Sequence, residues 1–115
     1  VSTKIMKTTK TKKTAKHRTP GEATIESFRR DPKFAAAYLN AVLNDGDRAE
    51  FMTALRYVTE AFGGVPAIAQ KTRLNSTALY RTLSAKGNPE LKGFMEIMKA
   101  VGMRILIEPL SPVHR

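Results

Sequence analysis

Ile68-Ala69-Gln70-Lys71-Thr72-Arg73-Leu74-Asn75-Ser76-Thr77-Ala78-Leu79-Tyr80-Arg81-Thr82-Leu83 is the stretch on which the reading of this chain turns. It divides into two short helical patterns around Arg73-Leu74-Asn75. Helices joined by so short a turn must cross steeply, and a small residue is needed where their backbones approach. Ala69 supplies it, and Leu74 plugs the turn. Asn75 is placed to cap a helix from Ser76 to about Ser84, since its side chain can accept from the first free N–H groups. Leu79 and Leu83 anchor that helix inward, which turns Ser76, Thr77, Tyr80 and Arg81 outward. An outward face that is polar, hydrogen-bonding and without acids has the character of one that enters a DNA major groove. The same spacing also fits an ordinary helical hairpin.

Helical patterning continues on both sides. Asp31 is a suitable N-cap with Pro32 at the first position, and Phe34, Tyr38 and Ala41/Val42 follow on one face with Leu39 and Leu43 beside it. Asp47 can cap the next helix, with Glu50 three residues on as a capping box. There Phe51, Leu55, Val58 and Phe62 form an apolar stripe that Gly63-Gly64 ends. A short helix is predicted from Pro66 to Thr72, with Ile68 and Ala69 inward. Gly87 breaks the helix after the turn. Asn88 and Pro89 are read as opening a last one, with Leu91, Phe94, Ile97/Met98 and Val101 inward and Gly102 at its end. Met103–Glu108 reads as a short strand closed by Pro109.

Charge follows this organisation. Residues 1–19 hold Lys4, Lys7, Lys10, Lys12, Lys13, Lys16 and Arg18 and no acid, out of a net charge of +10 for the chain. No acid occurs between Glu60 and Glu90, a window that carries Lys71, Arg73, Arg81 and Lys86. A basic window on a nearly neutral domain is what phosphate binding requires. Residues 1–24, rich in Lys, Thr and Ser, cannot bury enough apolar surface to offset their ordering entropy and are expected to be a disordered basic tail. The domain is then expected at 25–110, with a C-terminal tail at 111–115. The chain lacks cysteine, so disulfides, thiol catalysis and Cys-ligated zinc are excluded. It has no apolar run long enough for a membrane span and no apolar h-region of a secretory leader, so a cytoplasmic protein is expected.

From Ile25 to Pro109 the chain resembles the HigA-type antidote (antitoxin) proteins of bacterial toxin–antitoxin addiction modules, which carry a Cro-like, phage-repressor-type helix-turn-helix. The resemblance rests on Asp31-Pro32-Lys33-Phe34-Ala35-Ala36-Ala37-Tyr38-Leu39-Asn40, on Ala54-Leu55-Arg56 with Gly63-Gly64, on the turn region from Ile68 to Leu83, on Lys86-Gly87-Asn88-Pro89 and on Ala100-Val101-Gly102. It implies an all-α domain of five helices, a homodimer, repression of the module's own promoter, and neutralisation of a RelE-like ribonuclease toxin. The family's turn usually has Gly where this chain has Arg73, a position that tends toward positive φ and costs a non-Gly residue about 1–2 kcal/mol.

By position in such a fold, Ser76, Thr77 and Arg81 are candidates for base edges, with Arg81 able to reach guanine in a bidentate pair. Tyr80 is a candidate for a phosphate or thymine-methyl contact, or for packing. Gln70, Lys71, Arg73 and Lys86 are candidates for phosphate. A lone strand at Met103–Glu108 would leave its backbone unpaired, which pairing with the same strand of a second copy would resolve. A palindromic double-stranded DNA operator then follows from the two-fold axis. The strand could instead join a toxin's sheet edge. The helix from Pro32 to Asn44 and the preceding Ile25–Arg30 are further candidate toxin-facing surfaces, where Glu22, Glu26, Asp31, Asp45 and Asp47 suit a basic partner.

No catalytic constellation, phosphate loop or metal-ligand spacing is present in the sequence, and His17 and His114 fall in the expected tails. An enzyme is not expected, nor is a cofactor or metal. Two readings stand beside the autoregulatory antitoxin: a free-standing phage-type repressor without a toxin, and a protein-interaction module that does not read DNA.

Overall fold

Thr19 opens the first helix with a reciprocal capping box. Its hydroxyl accepts from the Glu22 N–H at 3.0 Å, and the Glu22 carboxylate accepts from the Thr19 N–H at 2.9 Å. Pro20 occupies the first position, where its missing N–H costs nothing. In the computed structural model, which describes residues 19–110, six helices follow one another: α1 (Pro20–Arg30), α2 (Pro32–Asp45), α3 (Arg48–Ala61), α4 (Gly64–Thr72), α5 (Ser76–Thr82) and α6 (Leu91–Ala100). The expected count of five is therefore corrected to six. The additional helix is α1, and the boundary expected at residue 24 falls inside it. Phe28 explains why α1 forms: its ring is fully buried, and burying such a side chain contributes about 1.5–3 kcal/mol. The basic run before Thr19 and the tail at 111–115 lie outside the described residues.

Asp31 joins two helices. Its N–H closes α1 on the Ser27 and Phe28 carbonyls, and its side chain accepts from the Phe34 N–H at 3.2 Å to open α2. Asp47 and Glu50 form the expected capping box at the start of α3. The α3 stripe is inside as its spacing predicts, with Leu55 and Val58 fully buried, Phe51 nearly so and Phe62 half-buried. α1 and α2 pack on one side of α3, α4 packs on another, and α4 in turn carries α5 and α6. Arg29 fastens α1 to the far end of α3, donating to the Ala61 and Glu60 carbonyls at 3.3 and 3.5 Å. These are acceptors that a helix end otherwise leaves unsatisfied.

Three local expectations change. α4 begins two residues before Pro66, because Gly63 and Gly64 adopt φ of 132° and 86° and turn the chain directly into it. α6 begins at Leu91 rather than Pro89; Asn88 does not cap it, and Leu91 is exposed while Ile97, Met98 and Val101 carry the packing. The strand expected at Met103–Glu108 is not present: among the described residues there is no strand. After Gly102 (φ 85°) the chain runs without regular structure. It comes alongside α2, where Leu106, Pro109 and Leu110 line a cleft with Asn40 and Leu43. A strand needs a ladder partner, and this segment finds none among the described residues.

No helix among the described residues is long and apolar enough to cross a membrane.

Candidate nucleic-acid interface

The turn between α4 and α5 is held from inside by Thr72. Its buried hydroxyl donates to the Ile68 carbonyl at 2.9 Å and accepts from the Leu74 N–H at 3.4 Å. Nothing in the sequence pattern singled out this threonine. Arg73 stands at φ 65°, ψ 18°, the left-handed region expected of a turn residue in which Gly is usual. It is the sole non-glycine residue with positive φ among the described residues. Asn75 then caps α5 as read from sequence, accepting from the Ala78 N–H at 2.7 Å.

Leu79 and Leu83 are buried to 0% and 1% exposure, so the orientation of α5 is fixed by its own core residues. Thr77, Tyr80 and Arg81 are exposed as expected, and Ser76 is half-buried. The helix ends at Thr82, two residues earlier than its pattern suggests, as the Ser84 hydroxyl donates back to the Arg81 carbonyl at 2.8 Å. Tyr80 is braced from the side: the Arg56 guanidinium of α3 lies 4.8 Å from its ring centre and is itself bonded to Glu60 at 3.0 Å. The resemblance drew attention to Ala54-Leu55-Arg56, but no spacing rule links residues 56 and 80.

Gln70, Lys71, Arg73 and Lys86 are all exposed. The structure divides them from the α5 face, however. Lys71 and Arg73 line a cleft with Glu96 and Lys99 of α6, whereas Tyr80 faces α3. An acid from α6 thus approaches a window that is free of acids along the sequence. Lys86 precedes Gly87, and here the loop is tightly bound. The Gly87 carbonyl accepts from the Arg48 guanidinium at the start of α3, and its N–H donates to the Ser84 carbonyl at 2.8 Å. A Cβ at position 87 would be driven into the Thr82 carbonyl oxygen, so only glycine fits. The end of α5 is therefore pinned to the beginning of α3 through a residue with no side chain.

No group of His, Asp or Glu that could hold a metal ion occurs among the described residues. The candidate face of α5 offers hydroxyls, a phenol and a guanidinium on one short helix, an arrangement suited to hydrogen bonding with an extended polar surface.

No curated protein and no solved structure shows a significant match to the chain. A family model does: residues 23–109, from the first turn of α1 to the proline after α6, match the family described as probable addiction module antidote protein. A match over that span takes in all of the described helices but the first three residues of α1, and the chain therefore belongs to the family of probable addiction module antidote proteins.

Proposed function

We propose that the chain is an antitoxin of HigA type that reads operator DNA with α5, represses its own promoter and neutralises a RelE-like ribonuclease toxin. Membership of the antidote family supports the antitoxin role; in this reading the protein is a regulator and not an enzyme, and acts in the cytoplasm. The observation that carries the DNA-binding half is the exposed face of α5. Thr77, Tyr80 and Arg81 project from a helix locked by Leu79 and Leu83, with no acid on it. In this reading α4, the turn and α5 form a Cro-like helix-turn-helix. Ser76, Thr77 and Arg81 meet base edges and Tyr80 a phosphate or thymine methyl. Lys86 and Gln70 meet flanking phosphates, and Lys71 and Arg73, lying toward α6, meet phosphate at longer range.

A palindromic operator calls for two copies. Residues 103–109 join no strand ladder among the described residues, and Ile105, Leu106 and Ile107 are exposed, which supports a homodimer joined through Met103–Glu108. Two α5 helices related by that axis would address half-sites about 34–36 Å apart.

Titration with a fragment of the gene's own promoter and with random DNA, at several salt concentrations, tests the DNA-binding half. The expected result is specific binding that Arg81→Ala weakens by about 1–3 kcal/mol while the fold is unchanged. Equal affinity for both DNAs would refute it and favour a protein-interaction module. Co-expression with the product of the neighbouring reading frame tests the toxin half, and a chain that binds operator but no such product would be a free-standing repressor.

A further inference from the structure

We infer that the groove between α2 and α3 is where this antidote grips its toxin, and that the toxin inserts an apolar side chain flanked by Lys or Arg. The inference rests on the antitoxin reading and assigns it a surface. α2 buries Ala35 and Leu39, not its aromatic stripe. Phe34 and Tyr38 are left 44% and 37% exposed, although solvent offers such rings nothing. The rings are nonetheless fixed. The buried Phe28 ring holds Phe34 at 5.6 Å and Tyr38 at 5.2 Å between centres, tilted or edge-on. Beside them Ala41 and Val42 of α2 and Tyr57 of α3 line a cavity of about 430 Å³. Preordered aromatic side chains around an open apolar cleft are the usual anchors of a protein interface, because little entropy is lost when a partner covers them.

Charge specifies the partner. Asp45 and Glu50 are the charged residues of the lining, which includes no Lys or Arg. Glu50 is engaged in the α3 capping box. Asp45 forms no ion pair among the described residues and ends α2, where a negative charge opposes the helix dipole. An acid in a place that folding disfavours is accounted for by a cation brought from outside. On α3 the neighbours Arg56 and Tyr57 point to different surfaces, Arg56 to the α5 ring and Tyr57 to the groove. One helix thus separates the proposed DNA-facing side from the groove.

The test uses the full chain co-purified with the product of the neighbouring reading frame, and calorimetry on the separated proteins. Ala41→Arg and Asp45→Lys both alter exposed positions, and a cation at position 45 suits the helix end. Each is expected to weaken toxin binding about tenfold or more and to leave binding to the gene's own promoter fragment unchanged, with Arg81→Ala showing the opposite pattern. Wild-type toxin affinity in both groove variants would overturn the inference and leave the antitoxin reading standing. Absence of any complex with the unaltered chain would remove both. A change in self-association on sizing chromatography with toxin binding intact would assign the groove to a second copy and likewise overturn the inference.

Discussion

The Arg56 guanidinium and the Tyr80 ring, 4.8 Å apart, connect the middle of α3 to the outer face of α5. A seven-residue helix has too few backbone hydrogen bonds to be stable by itself, so its placement depends on such contacts and on Leu79 and Leu83. The cation–π contact is half-exposed and contributes about 0.5–1 kcal/mol; the Arg56–Glu60 pair adds about 0.3–0.5 kcal/mol.

A double-mutant cycle over Arg56→Ala and Tyr80→Ala, read by urea denaturation, should therefore return a coupling of about 0.5–1 kcal/mol. Tyr80→Phe, which keeps the ring, should retain the coupling. Additive effects of the two alanines would mean that Arg56 does not hold Tyr80 in solution.

Gly87→Ala should be far more damaging than a surface glycine replacement. The new methyl group meets backbone at Thr82, which cannot rotate away as a side chain could. Relief requires moving either the α5 terminus or the loop that Arg48 holds. Overpacking of this kind costs about 1–3 kcal/mol or more, and the upper end is expected, with a matching fall in the urea midpoint. An unchanged midpoint would show that the loop has room the structure does not display. Gly93→Ala, where no atom lies within 4 Å of the added carbon, is the control and should be neutral or slightly stabilising.

How much of this was legible in the sequence follows from the range of each interaction. The caps at Asp31, Asp47 and Asn75 and the α3 stripe act within four residues, so local pattern sufficed for them. Thr19-Pro20-Gly21-Glu22 carries the same kind of local signal, and α1 was readable there; the lysine-rich run before it outweighed four residues of capping chemistry. The outward face of α5 was legible because Leu79 and Leu83 fix its rotation. What could not be read are the contacts across the fold: Arg48 with Gly87, Arg56 with Tyr80, and Glu96 beside Lys71 and Arg73. The exposure of Phe34 and Tyr38 was hidden for another reason. α2 is apolar around much of its circumference, so periodicity alone does not say which side faces α3. The segment from Met103 to Glu108 has a strand's composition, but composition cannot supply the second strand a ladder requires.

Arg73→Gly should stabilise the domain. The wild-type residue holds φ 65°, which costs an L-residue about 1–2 kcal/mol. Part of that gain is lost to the greater freedom of glycine in the unfolded chain. A net gain of about 0.5–1 kcal/mol is expected, seen as a rise in Tm of about 4 °C. Affinity for the promoter fragment should change little, because Arg73 lies with Glu96 and Lys99 and not beside Tyr80. Stabilisation combined with a marked loss of DNA affinity would show that Arg73 meets a phosphate directly rather than at longer range.

Ile107 offers the cleanest test of the proposed homodimer. It is 92% exposed, so Ile107→Glu removes little packing against the described residues, whereas Leu106 also lines the cleft beside Leu43. A β-branched, apolar residue in solvent gains stability only when a second surface covers it. If two copies pair through residues 103–108, a glutamate at 107 places like charges near the two-fold axis and desolvates them. Light scattering at micromolar concentration should then show the unaltered chain at twice its 12.7 kDa mass and the variant at 12.7 kDa. Both should share one denaturation midpoint when measured at a dilution where the unaltered chain is also a monomer. On promoter DNA the variant should lose affinity for a fragment with both half-sites and retain the unaltered chain's affinity for a single half-site, since each α5 helix is untouched. A wild-type chain that stays monomeric at high concentration would refute the homodimer.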